Sequence, residues 1–149
     1  MDRPYVTENT NERERLKSLV ERLSDEELGL PLGDDWTISV ALAHLSFWDQ
    51  RSLILVRKWK KTGVVESSPI DIDVTNDALL STWLALPPRV AANLAVSSAE
   101  EIDRELEEAS SELIAEIEGL GEKPRLYRSI HRKLHLDEIE KTLSNKAKT

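Results

Sequence analysis

From about Thr37 to Lys61 the chain runs without a glycine or a proline, and its apolar residues recur at the helical period rather than alternating. Such a stretch has no room for a tight turn or a hairpin. Thr37 or Ser39 serves to cap its start, and Gly63 follows its end. A helix of ~24 residues is about 36 Å long at 1.5 Å per residue, which sets the long dimension of whatever it packs into. Only five glycines interrupt the whole chain. The remaining punctuation divides it into further helices.

A first helix is expected from about Thr10 to Leu23, with Leu16, Val20 and Leu23 on one side. The stretch SDEELGLPLGDDW, with two glycines and a proline, reads as turns. Residues 63–73, GVVESSPIDID, show no helical pattern and are long for a simple turn. Extended, ~11 residues cover about the length of the preceding helix, which permits a crossover between parallel neighbours. A third helical region starts near Asp73 or Thr75 and breaks at Pro87-Pro88, a pair that a helix interior does not accept. It resumes through roughly Arg89–Glu118, where Ser97-Ser98 fits either a new start or a continuation, and ends at Gly119 and Gly121. The last helix begins around Pro124, a good first helical residue, and reaches about Leu143, leaving residues 145–149 as a frayed tail. The expected fold is all-α: a four-helix bundle with a long crossover after helix 2 and an additional short helix, in one domain over residues 1–149.

A net charge of −8 argues against nucleic acid as a partner, since phosphate binding needs a basic face. No apolar run approaches the roughly 18 residues of a membrane span, and the opening MDRPYVTENTNERER lacks the apolar core of a signal peptide. The expected compartment is the cytoplasm. With no cysteine, any thiol chemistry needs a thiol from outside the chain.

The chain's three histidines fall where a metal site needs them. His131 and His135 stand four apart on the last helix, so their imidazoles share one face. On a helical wheel they sit mid-way along the inward arc with Ile130, Leu134, Ile139 and Leu143, with Glu138 and Thr142 beside them and Lys133 and Glu140 behind. His44, among Val40, Ala41, Phe47, Trp48 and Leu55, also points inward, with Ser46 and Arg57 opposite. A lone inward histidine is more often a hydrogen-bonded core residue than a ligand. Three aimed at one core each need a partner, and an unsatisfied buried group costs about 1–3 kcal/mol. One metal ion satisfies all three. The pair is not a zincin motif, because Arg132 stands where HExxH has glutamate.

The stretch Trp36-Thr37-Ile38-Ser39-Val40-Ala41-Leu42-Ala43-His44-Leu45 resembles the W-x7-H-L signature of the DinB/YfiT-like superfamily of metalloenzymes. His131 and His135 match that family's H-x3-H on the last helix, and the order of elements matches along nearly the full chain. The resemblance implies a four-helix bundle with a crossover after the second helix. It also implies a divalent metal, zinc or nickel most readily, held by His44, His131 and His135. Relatives of this kind include bacillithiol S-transferases and mycothiol-dependent maleylpyruvate isomerase. A thiol-dependent S-transferase or a hydrolase acting on a small electrophile is therefore implied, with a low-molecular-weight thiol as the cosubstrate of the first. The alternative is a non-catalytic bundle that sequesters a small molecule. A homodimer is expected by analogy alone. Val40 departs from the pattern, standing where an acidic or polar residue is common.

Among other residues, Arg51 lies two turns after His44 on the same face and is a candidate to hold an anionic cosubstrate. Glu138 is a candidate to orient a ligand or to act as a base. Trp48, Arg128 and Tyr127 are candidates to line a pocket. Trp36 and Trp83 read as core, Asn76 as a cap or turn residue, and the acidic run Glu100–Glu108 as a solvated helix face.

Overall fold

The computed structural model describes residues 3–33 and 35–147. Helix α1 (Pro4–Arg22) starts well before Thr10 because proline opens it and tertiary bonds anchor its first turns. The Tyr5 hydroxyl donates to the Leu106 carbonyl at 2.8 Å, and Asn9 Nδ2 donates to that of Leu126 at 2.8 Å. The stretch read as turns folds into a one-turn helix, α2 (Asp25–Leu28), closed by a reciprocal capping box between Ser24 and Glu27. A short antiparallel hairpin follows, β1 (Pro31–Gly33) with β2 (Trp36–Thr37), around positive φ at Gly33 and Asp35.

The central helix, α3 (Ile38–Thr62), begins and ends where its caps predict. The Thr37 hydroxyl accepts from the Val40 amide, and Gly63 adopts the left-handed conformation at φ 74°. Residues 64–71 run back beside α3 into α4 (Ile72–Ala85), capped by Asp71. Pro87 and Pro88 end that excursion and open α5 (Pro88–Glu108). The expected continuation to Glu118 breaks at Ala109-Ser110, where the Ser110 hydroxyl caps a separate helix, α6 (Ser111–Gly119). A 3-10 turn (Lys123–Arg125) leads to α7 (Ser129–Ala147). Residues 145–147, expected to fray, continue α7; Lys148 and Thr149 lie outside the described residues.

The long helices α1, α3, α5 and α7 form the bundle. Ser46 meets Ser98 and Arg57 meets Glu105, so α3 and α5 run parallel. That is the pairing a crossover allows, and α4 is the extra helix within it. Asn9 meets Ser129 and Arg15 meets Asp137, so α1 and α7 also run parallel, and antiparallel to the other pair. One core cluster, built around Leu16, Leu19, Leu42, Ala95, Leu136 and Ile139, fills the hairpin end. A second, around Trp59, Ile102, Leu106 and Ile117, fills the other.

The bundle corrects three readings of helical faces. Ser46 is buried against α5 rather than opposite the core, because α3 is covered on nearly every side between Ile38 and Ser46. Within the acidic run, Asp103 is buried and ion-paired. On α7 the core-facing residues are Arg132, Leu136 and Ile139, whereas Ile130 and Leu134 are 43% and 57% exposed. The histidine face of α7 flanks the core and borders a cavity, and cavity walls have the same apolar character as a core.

Candidate metal centre

The Thr37 cap fixes the start of α3 and with it the height of His44. His131 and His135 project from successive turns of α7, which packs antiparallel against α3. The three ring centroids form a nearly equilateral triangle: His44–His131 4.7 Å, His44–His135 4.8 Å and His131–His135 4.8 Å. The planes cross at 69–80°, so each ring edge turns toward a shared centre. One ligand nitrogen from each lies within 4.8 Å of the others. His44 Nε2 and His131 Nε2 are 2.8 Å apart.

Burial is the main cause of the electrostatics here. It pushes the pKa of His44 down to about 3 and that of His131 to about 2, with neighbouring cationic forms adding repulsion. His135 is also lowered by burial, against an opposing pull from Glu138. All three rings are thus neutral at pH 7, the form that donates a lone pair. His44 Nδ1 is buried without a hydrogen-bond partner, although the Asn76 side chain nearby opposes the pKa shift. His135 Nδ1 lies 3.2 Å from Glu138 Oε1. That contact occupies Nδ1–H and leaves Nε2 free to face the cluster. Ligand bonds of 2.0–2.1 Å in a tetrahedral shell need nitrogens about 3.3 Å apart, which falls between the 2.8 Å contact and the 4.8 Å limit. The residues present therefore fit a divalent ion.

Aromatic rings wall the cluster. Trp36, delivered by β2, sits 4.8 Å from His44 and stacks over His135 at 6.1 Å. Trp83 of α4 meets His44 edge-on at 5.4 Å. Both tryptophans read as core in the sequence, yet both border the histidines. A tryptophan that packs and one that shields a site look alike in composition.

One turn away lies a buried ion-pair network. Arg132, fully buried, donates two bonds to Asp103 at 2.8 and 2.9 Å and a third to Asp49 at 3.3 Å. Arg128 Nε donates to Asp49 at 2.9 Å, and Arg13 reaches Asp103 at 2.8 Å. Arg128 lines the cavity while rooted on Asp49. Asp103 and Arg132 escape sequence reasoning because each falls among ordinary surface charges, and Asp49 because a lone carboxylate beside Trp48 does not name its partner. The one signal in the sequence is position: Arg132 directly follows His131, between the two histidines of the last helix.

An open cavity of about 1180 Å³ reaches the histidines from solvent. Trp48 and Arg51 line it. Trp48 Nε1 donates to Asn76 Oδ1 at 2.9 Å, so Asn76 belongs to the wall, and Asp71 is the cap of α4. Arg51 donates to the Ser68 carbonyl at 2.7 Å, tying residues 64–71 to α3, and lies 5.9 Å from the Trp48 ring. Tyr127 is placed elsewhere, edge-on to Tyr5 at 6.2 Å in the second core cluster. Glu138 is half-exposed and engaged with His135.

A family model described as the DinB superfamily matches residues 8–138, which include all three histidines. Comparison with curated proteins gives no match, and neither does comparison with solved structures.

Proposed function

This chain belongs to the DinB superfamily, and from that membership we propose that it is a divalent-metal enzyme acting on a small electrophile. His44, His131 and His135 hold the ion in this reading. The observation that carries it is the convergence of three imidazoles that burial keeps neutral. An all-nitrogen set suits zinc or nickel. Such an ion keeps its full charge among neutral ligands and supplies the acidity that makes water or a thiol nucleophilic near pH 7. Hydrolysis and thiol-dependent S-transfer are the two reactions this supports. In the second, the thiol is a small molecule from solution, since the chain has no cysteine.

The chain's own residues have separable parts. Glu138 orients the His135 ring through Nδ1. Trp83, buried and outside the cavity lining, covers one side of the cluster, and Trp36 walls it at the cavity itself. The Asp49–Arg128 and Asp49–Arg132 bonds hold α7 in register with α3, and so hold the histidines opposite one another. Arg51 stands on the wall where a substrate enters.

Elemental mass spectrometry on untagged protein tests the reading. About one equivalent of zinc or nickel is expected, lost in the His131→Ala/His135→Ala double variant, followed by activity in a thiol-transfer and hydrolase screen that His44→Ala abolishes. No metal after reconstitution sinks it. The width of the cavity favours the second reading, a non-catalytic binder, and ligand affinity retained in His44→Ala would support that reading instead.

A further inference from the structure

The cavity carries positive charge that the histidine cluster does not use. Arg51, Lys123, Arg125 and Arg128 all line it. Arg128 is neutralised by Asp49 at 2.9 Å. Arg125 has Glu122 at 3.9 Å, beyond hydrogen-bond range, and its side chain is 19% exposed. Arg51 donates to the uncharged oxygens of Ser68, and Lys123 rests 5.0 Å from the Tyr127 ring. Neither Arg51 nor Lys123 has a carboxylate within 4.0 Å among the described residues. Lys133, which also lines the cavity, is paired with Asp137 at 2.8 Å, so Arg51, Lys123 and Arg125 are left with Glu122 alone, an excess of two positive charges inside a chain of net charge −8.

The crowding is real in energetic terms. Burial, together with Arg51 and Arg128, lowers the pKa of Arg125 against the pull of Glu122. Guanidinium groups gathered in a concave site with few counter-charges are matched by an anion with paired oxygens. The group lies beside the 3-10 turn that enters α7. Arg128 precedes His131 by three residues, about 4.5 Å of helical rise. Trp48 stands between the two groups, its ring 5.9 Å from Arg51 and 6.4 Å from His44, and Ile72 and Leu134 add apolar surface to the cavity lining.

We propose that Arg51, Lys123 and Arg125 form an anion subsite that takes the carboxylate or phosphate of an amphipathic substrate. Its apolar body lies along Trp48, Ile72 and Leu134, and its opposite end reaches the histidines. The identity of that reacting end rests on the metal-enzyme reading; the anion subsite does not.

Isothermal titration of the purified protein with octanoate, octyl phosphate and octanol tests this. At least one anion is expected to bind about tenfold or more tightly than octanol, and the tighter of the two identifies the headgroup. Arg51→Gln/Arg125→Gln should weaken that anion about tenfold or more and leave octanol unchanged. Lys123→Gln, at an exposed position, should give a smaller loss in the same direction. Octanol matching both anions overturns the proposal. So does anion binding that survives the double substitution, which would place the headgroup on the histidine centre. Metal content measured on the same samples separates the two readings: protein that stays metal-free after reconstitution yet prefers the anion keeps the subsite and sinks the metal enzyme, and loaded protein without charge preference does the reverse.

Discussion

Glu138 occupies one nitrogen of His135, and in the proposed metal site that leaves the other free to bind. Its Oε1 lies 3.2 Å from Nδ1, which fixes the tautomer and turns Nε2 toward the other two rings. Losing such an orienting carboxylate typically costs 10–100-fold in metal affinity. Glu138→Ala is therefore expected to weaken zinc binding by roughly that factor in competition titrations with a chelating dye. Stability should change little, since the carboxylate is half-exposed. A second consequence concerns acid. In the unfolded chain His44 and His131 titrate at about 6.5; folded, they are held at about 3 and about 2. Below pH 6.5 the unfolded state takes up protons that the native state refuses, so stability is fully present above that value and is lost as pH falls. Metal-stripped protein should lose melting temperature steadily from pH 6.5 to 5, more steeply than His131→Ala/His135→Ala. A melting temperature flat across that interval in metal-stripped protein would contradict the neutral-histidine assignment. These three residues were legible in the sequence because histidine is scarce here and its spacing carries geometry. Asp49 and Arg132 were not, because nothing in a charged residue's immediate neighbours announces that it will be buried.

At the scale of elements, α7 is the helix whose face was misplaced, and the reason is Arg132. A buried guanidinium with Asp103 and Asp49 takes the position that an apolar residue holds in an ordinary bundle helix. Desolvating such a cluster is expensive, and its geometry must recover the cost. Removing one partner leaves an uncompensated charge, so Asp103→Asn should destabilise by about 3–5 kcal/mol in urea unfolding. Arg13→Gln, which removes only the partly exposed arm on the same carboxylate, should cost far less. Equal losses would mean that Asp103 serves α1 rather than α7. Short elements were harder to read than long ones. The capping box at Ser24 and Glu27 was present in the sequence, but a four-residue helix has no period to detect. Likewise Ser110, which divides α5 from α6, caps a new start inside a stretch whose apolar spacing continues across the break. By contrast α3 was legible almost to the residue, because Thr37 and Gly63 punctuate an uninterrupted run.

Across the whole molecule, α3 packs extensively on its parallel neighbour α5, while its seam with α7 is much thinner. The crossover through residues 64–71 and α4 is what makes the α3–α5 pairing possible, and it was foreseeable from the length of a glycine- and proline-marked segment. The thin seam was not foreseeable, since it depends on which helices become diagonal. Across it stand two kinds of fastening: the Asp49 bonds to Arg128 and Arg132, and the facing histidines. An ion bound at His44, His131 and His135 joins the two helices directly, and the unfolded chain offers no such preformed set. Binding then stabilises by mass action, about 2.7 kcal/mol when free metal is 100 times its dissociation constant. Thermal unfolding should rise with added zinc or nickel and fall with a chelator, the midpoint continuing to climb as metal concentration increases. His131→Ala/His135→Ala should be insensitive to both additions. A wild-type midpoint that ignores metal while the protein carries a full equivalent would mean that the ion binds folded and unfolded chains alike. The seam would then rest on the buried ion pairs alone, and Asp49→Asn would open it whatever the metal.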